Sequence, residues 1–292
     1  MFIAVELTMH DLSQQAADSK HRDVRLVLLH GFTLTSDMWK PVVDHLMKRC
    51  ASRGLAPWHS ITGIDLAGHG QSPPLQHPVD FASCAAGVAT AIDRSRHRVS
   101  DGAHTPMQRG TDRPVVVVGY SMGGRLAWSS AERWCRPGDR LLLIGAHPGD
   151  LSAEQRRERK AADNVLAERL DRIELAEWMR WWVRRPIFDG LTRFNDQMGA
   201  RLGQDGRSLA NALRSATVAD QPNALEQPGV GQVPTSYLAG LADTTYRRIA
   251  SALAARGHAR STILPGSHAL PLIDPEGTAR WIWSTLSRTP PR

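Results

Sequence analysis

Four consecutive valines run directly into a serine flanked by glycines, and this junction constrains the fold more than any other part of the chain. The valines are residues 115–118, and the pentapeptide GYSMG follows at 119–123. A strand that is apolar on both faces is typical of the centre of a parallel sheet, and the residues after the pentapeptide predict a helix. Such a sharp strand-to-helix turn needs small residues on both sides. The sequence therefore predicts Ser121 at the carboxyl edge of a parallel sheet.

Short apolar runs alternate with helical segments along the chain, as in a mostly parallel sheet with crossover helices. The predicted strands are residues 2–8, 24–29, 61–65, 114–118, 140–145, 234–239 and 260–264. The predicted helices are residues 37–49, 80–93, 122–135, 244–256 and 276–287. Residues 94–113 are polar and lack periodicity, so we expect a long surface loop there.

Residues 151–215 contain no candidate strand and instead predict several helices between two strands. The chain of 292 residues has room for one large α/β domain with such an insertion. We therefore predict a core domain in two parts, residues 1–150 and 216–292, and a helical lid formed by residues 151–215 over one end of the sheet.

Composition argues against several classes of protein. Hydrophobic residues make up 41% of the chain and charged residues 22%, which is ordinary for a soluble globular protein. No run of 18 apolar residues predicts a membrane segment, and no secretory signal is visible, so we expect a cytoplasmic protein. The cysteines fit no metal motif, and we interpret all three as buried or half-buried thiols. We expect neither a metal ion nor a cofactor. The three cysteines are Cys50, Cys84 and Cys135.

The chain carries a formal net charge of +7, mostly from arginine. Its basic residues are scattered, apart from RRERK at 156–160 and RR at 184–185. No nucleic-acid-binding module accompanies them. A positive field could instead attract a small anionic molecule to a site.

Two further motifs accompany the serine: His30-Gly31-Phe32-Thr33 directly follows the strand at 24–29, and DLAGHGQS at 65–72 follows the next strand. Together the three motifs resemble the opening of an α/β-hydrolase, with a mostly parallel sheet flanked by helices. In this fold, the loop after the strand at 24–29 and the residue after the nucleophile supply the oxyanion hole, which indicates the backbone amides of Phe32 and Met122. We expect His30 to support this loop structurally. In the third motif, DLAGHGQS at 65–72, we expect Asp65 and His69 to brace the turn.

The acid and base of the fold follow the serine in the order Asp or Glu, then His. Asp243 and His268 each lie just past the carboxyl end of a predicted strand, where open α/β sheets place their active sites. His268 would take the proton of Ser121, and Asp243 would orient the imidazole. Asp220 competes for the role of the acid but precedes its strand. His258 is interpreted as a surface histidine.

The segment GYSMGGRLA at 119–127 resembles the nucleophile elbow of the menaquinone-pathway 2-succinyl-6-hydroxy-2,4-cyclohexadiene-1-carboxylate synthases. Its distinctive residue is Arg125, because most esterase elbows have a small or apolar residue there. The sequences GAHPG at 145–149 and PIF at 186–188 are also similar, whereas Val183, Pro271 and Ile273 depart from the family pattern. The resemblance covers roughly residues 24–190 and the two late triad loops.

The resemblance implies a lyase that expels pyruvate from a cyclohexene bearing a succinyl chain, a ring carboxylate and an enolpyruvyl ether. The serine–histidine pair would act as the base. The substrate is a small polycarboxylate anion, and arginine binds carboxylates bidentately. The resemblance extends to Arg159 and Trp182 in the predicted lid, and it implies that Arg125, Arg159 and Trp182 bind the substrate.

Two other hypotheses remain open at this stage. A hydrolase of carboxylic esters or of C–C bonds would use the same triad, with Ser121 attacking a carbonyl carbon. Arg125 beside the serine argues against it, because it favours an anionic substrate. A non-catalytic binding protein on the same scaffold is disfavoured by the intact triad.

Overall fold

The structure is a computed structural model that describes residues 4–13, 22–54, 58–97, 113–191, 197–227 and 233–287. Most of the predicted loop at 94–113 lies outside these residues. Its first residues, 94–96, belong to a helix that ends at Arg96, so the helix predicted for 80–93 was too short.

The described strands form one sheet in the order β1-β3-β2-β4-β5-β6-β7. The β1–β3 pair is antiparallel, and every other pair in this sheet is parallel. This confirms the predicted mostly parallel sheet with the valine strand at its centre. The strands are β1 (Met9–Asp11), β2 (Arg22–Leu29), β3 (Trp58–Ile64), β4 (Val115–Tyr120), β5 (Arg140–Ile144), β6 (Thr235–Gly240) and β7 (Arg260–Leu264).

The strand predicted at 2–8 is wrong for the described residues 4–8, because the first strand lies at Met9–Asp11. The polar groups of Thr8 bond to loop residues instead of a neighbouring strand. Its amide donates to Ser72 Oγ at 2.9 Å, and its carbonyl accepts from the Asp65 amide at 3.0 Å. An apolar run alone does not make a strand when its backbone finds partners elsewhere.

The helices flank the sheet and follow the predicted positions, with one interruption. The helix predicted at 122–135 divides at Ser130, whose hydroxyl donates to the carbonyl of Leu126 at 2.8 Å. Such local hydroxyl-to-carbonyl bonding is a known cause of helix bending. The helices are α1 (Lys40–Ala51), α2 (Phe81–Arg96), α3 (Met122–Ser129), α4 (Ala131–Trp134), α5 (Ala153–Arg172), α6 (Leu175–Trp182), α7 (Met198–Leu202), α8 (Gly206–Ser215), α9 (Thr244–Ala255), α10 (Leu270–Ile273) and α11 (Pro275–Ser287).

The valines of β4 face two separate hydrophobic layers, which explains why the strand is apolar on both sides. Val115 and Val117 pack in the layer that contains α2 and Trp128. Val116 and Val118 pack in the layer that contains α1 and α11. Burial on both faces fixes the strand whose end carries Ser121.

Helices α5 to α8 fall between β5 and β6, within the residues predicted to form a lid. Helix α8 is bonded to a core loop: Ser208 Oγ accepts from the Leu75 amide at 2.9 Å, and Ser215 Oγ accepts from the Val79 amide at 2.9 Å. The division of this segment from the core, and its action as a lid, stay predictions. Of the helices described, none is both long enough and apolar enough to span a membrane.

Candidate active site

Ser121 lies at the apex of a tight turn between β4 and α3, with φ +49° and ψ −110°. The flanking glycines make this turn possible. A Cβ atom on Gly123 would lie 2.5 Å from the carbonyl oxygen of His30, and one on Gly119 would meet the backbone of Gly124 even more closely. The backbone packs so closely on both sides of the serine that only small residues fit there, as the sequence predicted.

The structure brings Ser121, His268 and Asp243 together in one hydrogen-bonded chain. His268 Nδ1 lies 2.7 Å from Asp243 Oδ2, and His268 Nε2 lies 3.1 Å from Ser121 Oγ. An ionised carboxylate only accepts, so Nδ1 carries the proton and donates to it. Nε2 is then left with a lone pair facing the serine hydroxyl, as a general base requires.

Asp243 is fixed by its position at the start of α9. Its Oδ1 accepts from the Tyr246 amide at 3.2 Å as the helix N-cap, while Oδ2 holds His268. The competing acid, Asp220, is instead paired with Lys160 at 2.9 Å. His258 is exposed, as expected of a surface histidine.

His268 is only 5% exposed, and its imidazole packs among aromatic rings. The ring centroids of Tyr246 and Tyr120 lie 4.6 Å and 5.3 Å from it, and that of Phe188 lies 6.1 Å away. Its backbone amide donates to the carbonyl of Ile187 at 3.1 Å. The turn that follows α6 therefore contacts the histidine of the candidate triad directly.

The backbone amides of Phe32 and Met122 lie in the two segments expected to form an oxyanion hole. Both residues line the same cavity as Ser121. Neither amide donates to an acceptor within the described ranges of the chain. Two N–H groups that are left free beside a nucleophile suit a substrate oxygen that gains negative charge.

His30 and Asp65 brace the loops beneath the site, as expected. His30 Nε2 accepts from the Leu66 amide at 2.9 Å, and Nδ1 donates to the carbonyl of Gly31 at 2.8 Å. Asp65 accepts from the amides of Ser36 at 2.7 Å and Gln71 at 2.9 Å. These bonds engage both side chains, and neither lines the cavity that holds Ser121.

His69 completes the brace, because its Nε2 accepts from the Thr33 amide at 3.2 Å. Burial lowers the pKa of His69 to about 3 and also lowers the pKa of His30. Both imidazoles are therefore neutral at pH 7, in agreement with the hydrogen bonds that each ring accepts.

The triad opens into a cavity of about 450 Å³, a size typical of small-molecule sites. A larger groove of about 760 Å³ beside β7 contains none of the triad, so volume alone does not locate the chemistry. Phe32, Ser121, Met122, Arg125, Arg159, Ala162, Asp163, Leu166, Trp182, Arg185, Pro186, Ile187, Phe188, Leu213, Tyr246 and His268 line the smaller cavity.

Arg125 is a buried residue of α3 that lines the cavity with Ser121, not a surface residue of its helix. Its side chain donates from Nη1 to the carbonyl of Ala216 at 2.8 Å, and the residue is only 5% exposed. Burial and then the nearby charge of Arg159 lower its pKa to about 10. Arg125 thus stays positively charged at pH 7.

Arg159 also lines the cavity, but a neighbouring carboxylate already engages it. Its Nε lies 2.9 Å and 3.0 Å from the two oxygens of Asp163, which also accepts from Thr217 Oγ1 at 2.6 Å. Burial is the largest single influence and alone would lower the pKa of Arg159, but the charge of Asp163, its hydrogen bond to Arg159 and the charge of Tyr246 together raise that pKa. Asp163 therefore orients Arg159 toward the cavity.

Trp182 forms part of the cavity wall. Its ring stacks on Trp178 with centroids 4.9 Å apart, and it meets Phe32 edge-on at 5.6 Å. Phe188 closes the other side at 5.3 Å. Trp182 is thus both part of the packed interior and a cavity-lining residue.

Comparison with known proteins places this architecture in a family. The model of the alpha/beta hydrolase family matches residues 26–281. The chain belongs to the alpha/beta hydrolase family.

This hydrolase-family enzyme is similar to proteins named 2-succinyl-6-hydroxy-2,4-cyclohexadiene-1-carboxylate synthase. It is 32% identical to the one from Klebsiella pneumoniae strain 342, over 80% of this chain and 83% of that protein. It is 31% identical to the one from Salmonella typhimurium, with the same coverage. The expected resemblance to these synthases is therefore confirmed.

Solved structures support the fold of this hydrolase-family enzyme. The structure of MenH from S. aureus matches with a TM-score of 0.76 at 22% identity, covering 96% of this chain and 97% of that one. A thermophilic esterase from Thermogutta terrifontis matches with a TM-score of 0.70 at 19% identity, covering 97% and 93%. At these identities, the likeness concerns the fold alone.

Sequence reasoning missed the roles of three cavity-lining residues of this hydrolase-family enzyme, Arg185, Tyr246 and Asp163. Of these, Asp163 is the partner of Arg159. Tyr246 lies one turn after the N-cap Asp243, so a cap signal could have suggested it. Arg185 has no such signal, because the folding of the lid segment brings it to the cavity. Within the part of the chain that is described, no cluster of three or more His, Cys, Asp or Glu side chains could hold a metal ion.

Proposed function

We propose that this enzyme is a carbon–oxygen lyase that eliminates pyruvate from an enolpyruvyl succinyl-cyclohexene carboxylate, a step of menaquinone biosynthesis. The observation that carries the proposal is the buried guanidinium of Arg125 in the cavity that holds Ser121. A neutral ester has no use for a desolvated arginine there, whereas a polycarboxylate does. The names of the relatives from Klebsiella and Salmonella support the same reaction.

The substrate enters with its carboxylates toward Arg125 and Arg159 and its ring against Trp182. His268 Nε2, acting through the Ser121 hydroxyl, removes a proton from the ring carbon next to the succinyl ketone. The electrons of the broken C–H bond shift through the ring double bond, and the C–O bond to the enolpyruvyl group breaks. Asp243 stabilises the imidazolium that forms. The departing enolate regains a proton and leaves as pyruvate.

The oxyanion hole serves this elimination as well as it would serve an acyl transfer. When the ring proton leaves, negative charge develops on the oxygen of the succinyl ketone. The amides of Phe32 and Met122 donate to that oxygen, and such donors stabilise the transition state more than the ground state. No covalent bond to Ser121 is needed.

A second candidate is a hydrolase of carboxylic esters or of C–C bonds. The distance of 3.1 Å between Ser121 Oγ and His268 Nε2 favours it equally, because this is the geometry of a nucleophile and its base. Ser121 would attack a carbonyl carbon, and the two free amides would bind the tetrahedral oxyanion.

The test supplies the purified enzyme with the enolpyruvyl substrate and, separately, with p-nitrophenyl acetate. Pyruvate is measured through NADH oxidation by lactate dehydrogenase, and nitrophenolate by its absorbance. We expect pyruvate release that Ser121→Ala abolishes, with weak ester hydrolysis. Strong ester hydrolysis without any pyruvate would overturn the lyase and favour the hydrolase.

A further inference from the structure

Arg185 lies between α6 and the short 3-10 turn at Pro186–Phe188, on the lid side of the active-site cavity. Its guanidinium carbon sits 5.1 Å from the centroid of the Trp182 ring and 5.5 Å from that of Trp181. The residue is half-buried. These cation–π contacts with two indole rings restrain the guanidinium while leaving N–H groups available.

The three cavity-lining arginines differ in what they already bind. Arg125 donates to the carbonyl of Ala216, and Arg159 donates to Asp163. Among the described residues, no carboxylate or carbonyl accepts from the guanidinium of Arg185. Arg185 lines the cavity, so its unpartnered donors are available to a ligand there.

The charges of the cavity are unbalanced in a way that an anion would correct. Among the described residues that line it, there are three arginines and a single carboxylate, that of Asp163. Burial and then the charge of Arg159 lower the pKa of Arg185, and Arg159 likewise disfavours the charge of Arg125. Like charges that repel one another in a half-enclosed site raise the affinity for a polyanion.

The segment of Arg185 is also tied to the catalytic base. Two residues further on, the carbonyl of Ile187 accepts the backbone N–H of His268 at 3.1 Å. A group bound by Arg185 is therefore held at a fixed place relative to the imidazole. This makes Arg185 suited to orienting a substrate, since small misplacements at the reacting atoms cost rate.

We propose that Arg185 binds a third substrate carboxylate, beside those bound by Arg125 and Arg159, and thereby selects tricarboxylates over dicarboxylates. The proposal rests on the lyase function proposed above, whose substrate carries three carboxylates. It assigns the lid-side end of the cavity to one of them, and it names a specificity-determining residue that sequence patterns do not reveal.

The first experiment compares Arg185→Gln with Arg184→Gln in the pyruvate-release assay. Arg184 is the adjacent residue, is exposed and does not line the cavity, so it controls for the loss of one positive charge. Arg185→Gln should raise KM at least about 10-fold, because a charge-assisted hydrogen bond is lost. Arg184→Gln should change KM by less than about 2-fold, since long-range charge effects are screened. Equal KM values in the two variants would overturn the proposal.

A binding experiment keeps the proposal testable even if no pyruvate is released. Affinities of the parent and both variants for benzene-1,2,4-tricarboxylate and benzene-1,2-dicarboxylate are measured by tryptophan fluorescence. The parent and Arg184→Gln should prefer the tricarboxylate, and Arg185→Gln should lose that preference. Parent enzyme that makes no pyruvate but shows this pattern would reject the lyase and retain the role of Arg185. A preference that survives in Arg185→Gln would reject the role itself.

Discussion

Ser121 is held in a conformation that side-chain-bearing residues seldom adopt, and its neighbours maintain it. Its φ of +49° costs on the order of 1–3 kcal/mol unless the surroundings impose it. The amide of Ser121 donates to the carbonyl of Ile144 at 2.9 Å, and its carbonyl accepts from the amide of Arg125 at 3.0 Å. The hydroxyl is thus directed at His268 by the backbone, before any substrate is present.

Replacing that hydroxyl tests the proposed base directly. Ser121→Ala should lower the rate of pyruvate release by roughly 10³-fold or more, because triad members act as a unit. The thermal unfolding midpoint should change little, since the backbone bonds of the turn do not involve Oγ. Rates and unfolding are measured on the same preparations. Near-normal turnover would mean that the proton is removed by another group.

Arg125 provides the residue-level test that separates lyase from esterase. Arg125→Ala should reduce kcat/KM for pyruvate release roughly 30- to 1000-fold, because losing a buried charged contact costs about 2–4 kcal/mol. Hydrolysis of p-nitrophenyl acetate should be little changed, since a neutral ester offers that arginine no carboxylate.

The substitution has one structural side effect that needs a control. Arg125 also donates to the carbonyl of Ala216, so its removal leaves a buried acceptor unpaired. Arg125→Lys restores a positive charge, and ester hydrolysis reports whether the triad remains assembled. Equal losses on both substrates would show that the effect is structural and would count against a role in carboxylate binding.

At the level of elements, the nucleophile turn depends on the close approach of α3 to β2. A Cβ atom on Gly123 would lie 2.7 Å from Leu29 Cβ and 2.5 Å from the carbonyl oxygen of His30. A Cβ atom on Gly199 in α7 would have no neighbour within 4 Å. Gly123→Ala should lower the free energy of unfolding by about 1–3 kcal/mol through overpacking. Gly199→Ala should raise it by about 0.5–1 kcal/mol, because alanine favours the helix. Urea unfolding measures both, and an equal effect of the two changes would contradict this account.

The elements that sequence predicted well are those whose pattern is local. The valine run of β4 predicts burial on both faces, and the glycines around Ser121 predict the turn. The short strand β1 was misplaced because the backbone of residues 4–8 is bonded to distant loops and to helix α2. Nothing local distinguishes that segment from a strand.

The residues of the candidate site also differ in how well local sequence patterns predict them. Ser121, Asp243 and His268 follow strands, and each could be located by its place at a strand end. Arg185 lines the site from the segment between β5 and β6, and the adjacent residues of the sequence do not encode that approach. Residues on insertions are therefore the part of a site that sequence patterns find last.

For the whole molecule, stability depends on histidines that are buried without charge. Burial lowers the pKa of His69 to about 3 and of His147 to about 4, and it lowers that of His30 as well. In the unfolded chain, each of these histidines binds a proton below about pH 6.5. Between about pH 6.5 and 4 the unfolded chain therefore holds more protons than the folded one. The free energy of unfolding must fall as the pH falls through this range.

Each such histidine can change the free energy of unfolding by up to about 1.4 kcal/mol for each pH unit. We expect urea unfolding at pH 7, 6 and 5 to show a parent protein whose stability falls steadily below pH 6.5. His69→Gln should be less stable than the parent at pH 7, because its bonds to Thr33 and Ala67 are altered. Its free energy of unfolding should nevertheless fall less between pH 6 and 5 than that of the parent. The reason is that the variant lacks one histidine that binds a proton in the unfolded chain but not in the folded one. The exposed His258 supplies the control, and His258→Gln should keep the parental slope. If His69→Gln loses stability as steeply as the parent, the neutral, buried state of His69 does not govern the acid sensitivity of the fold.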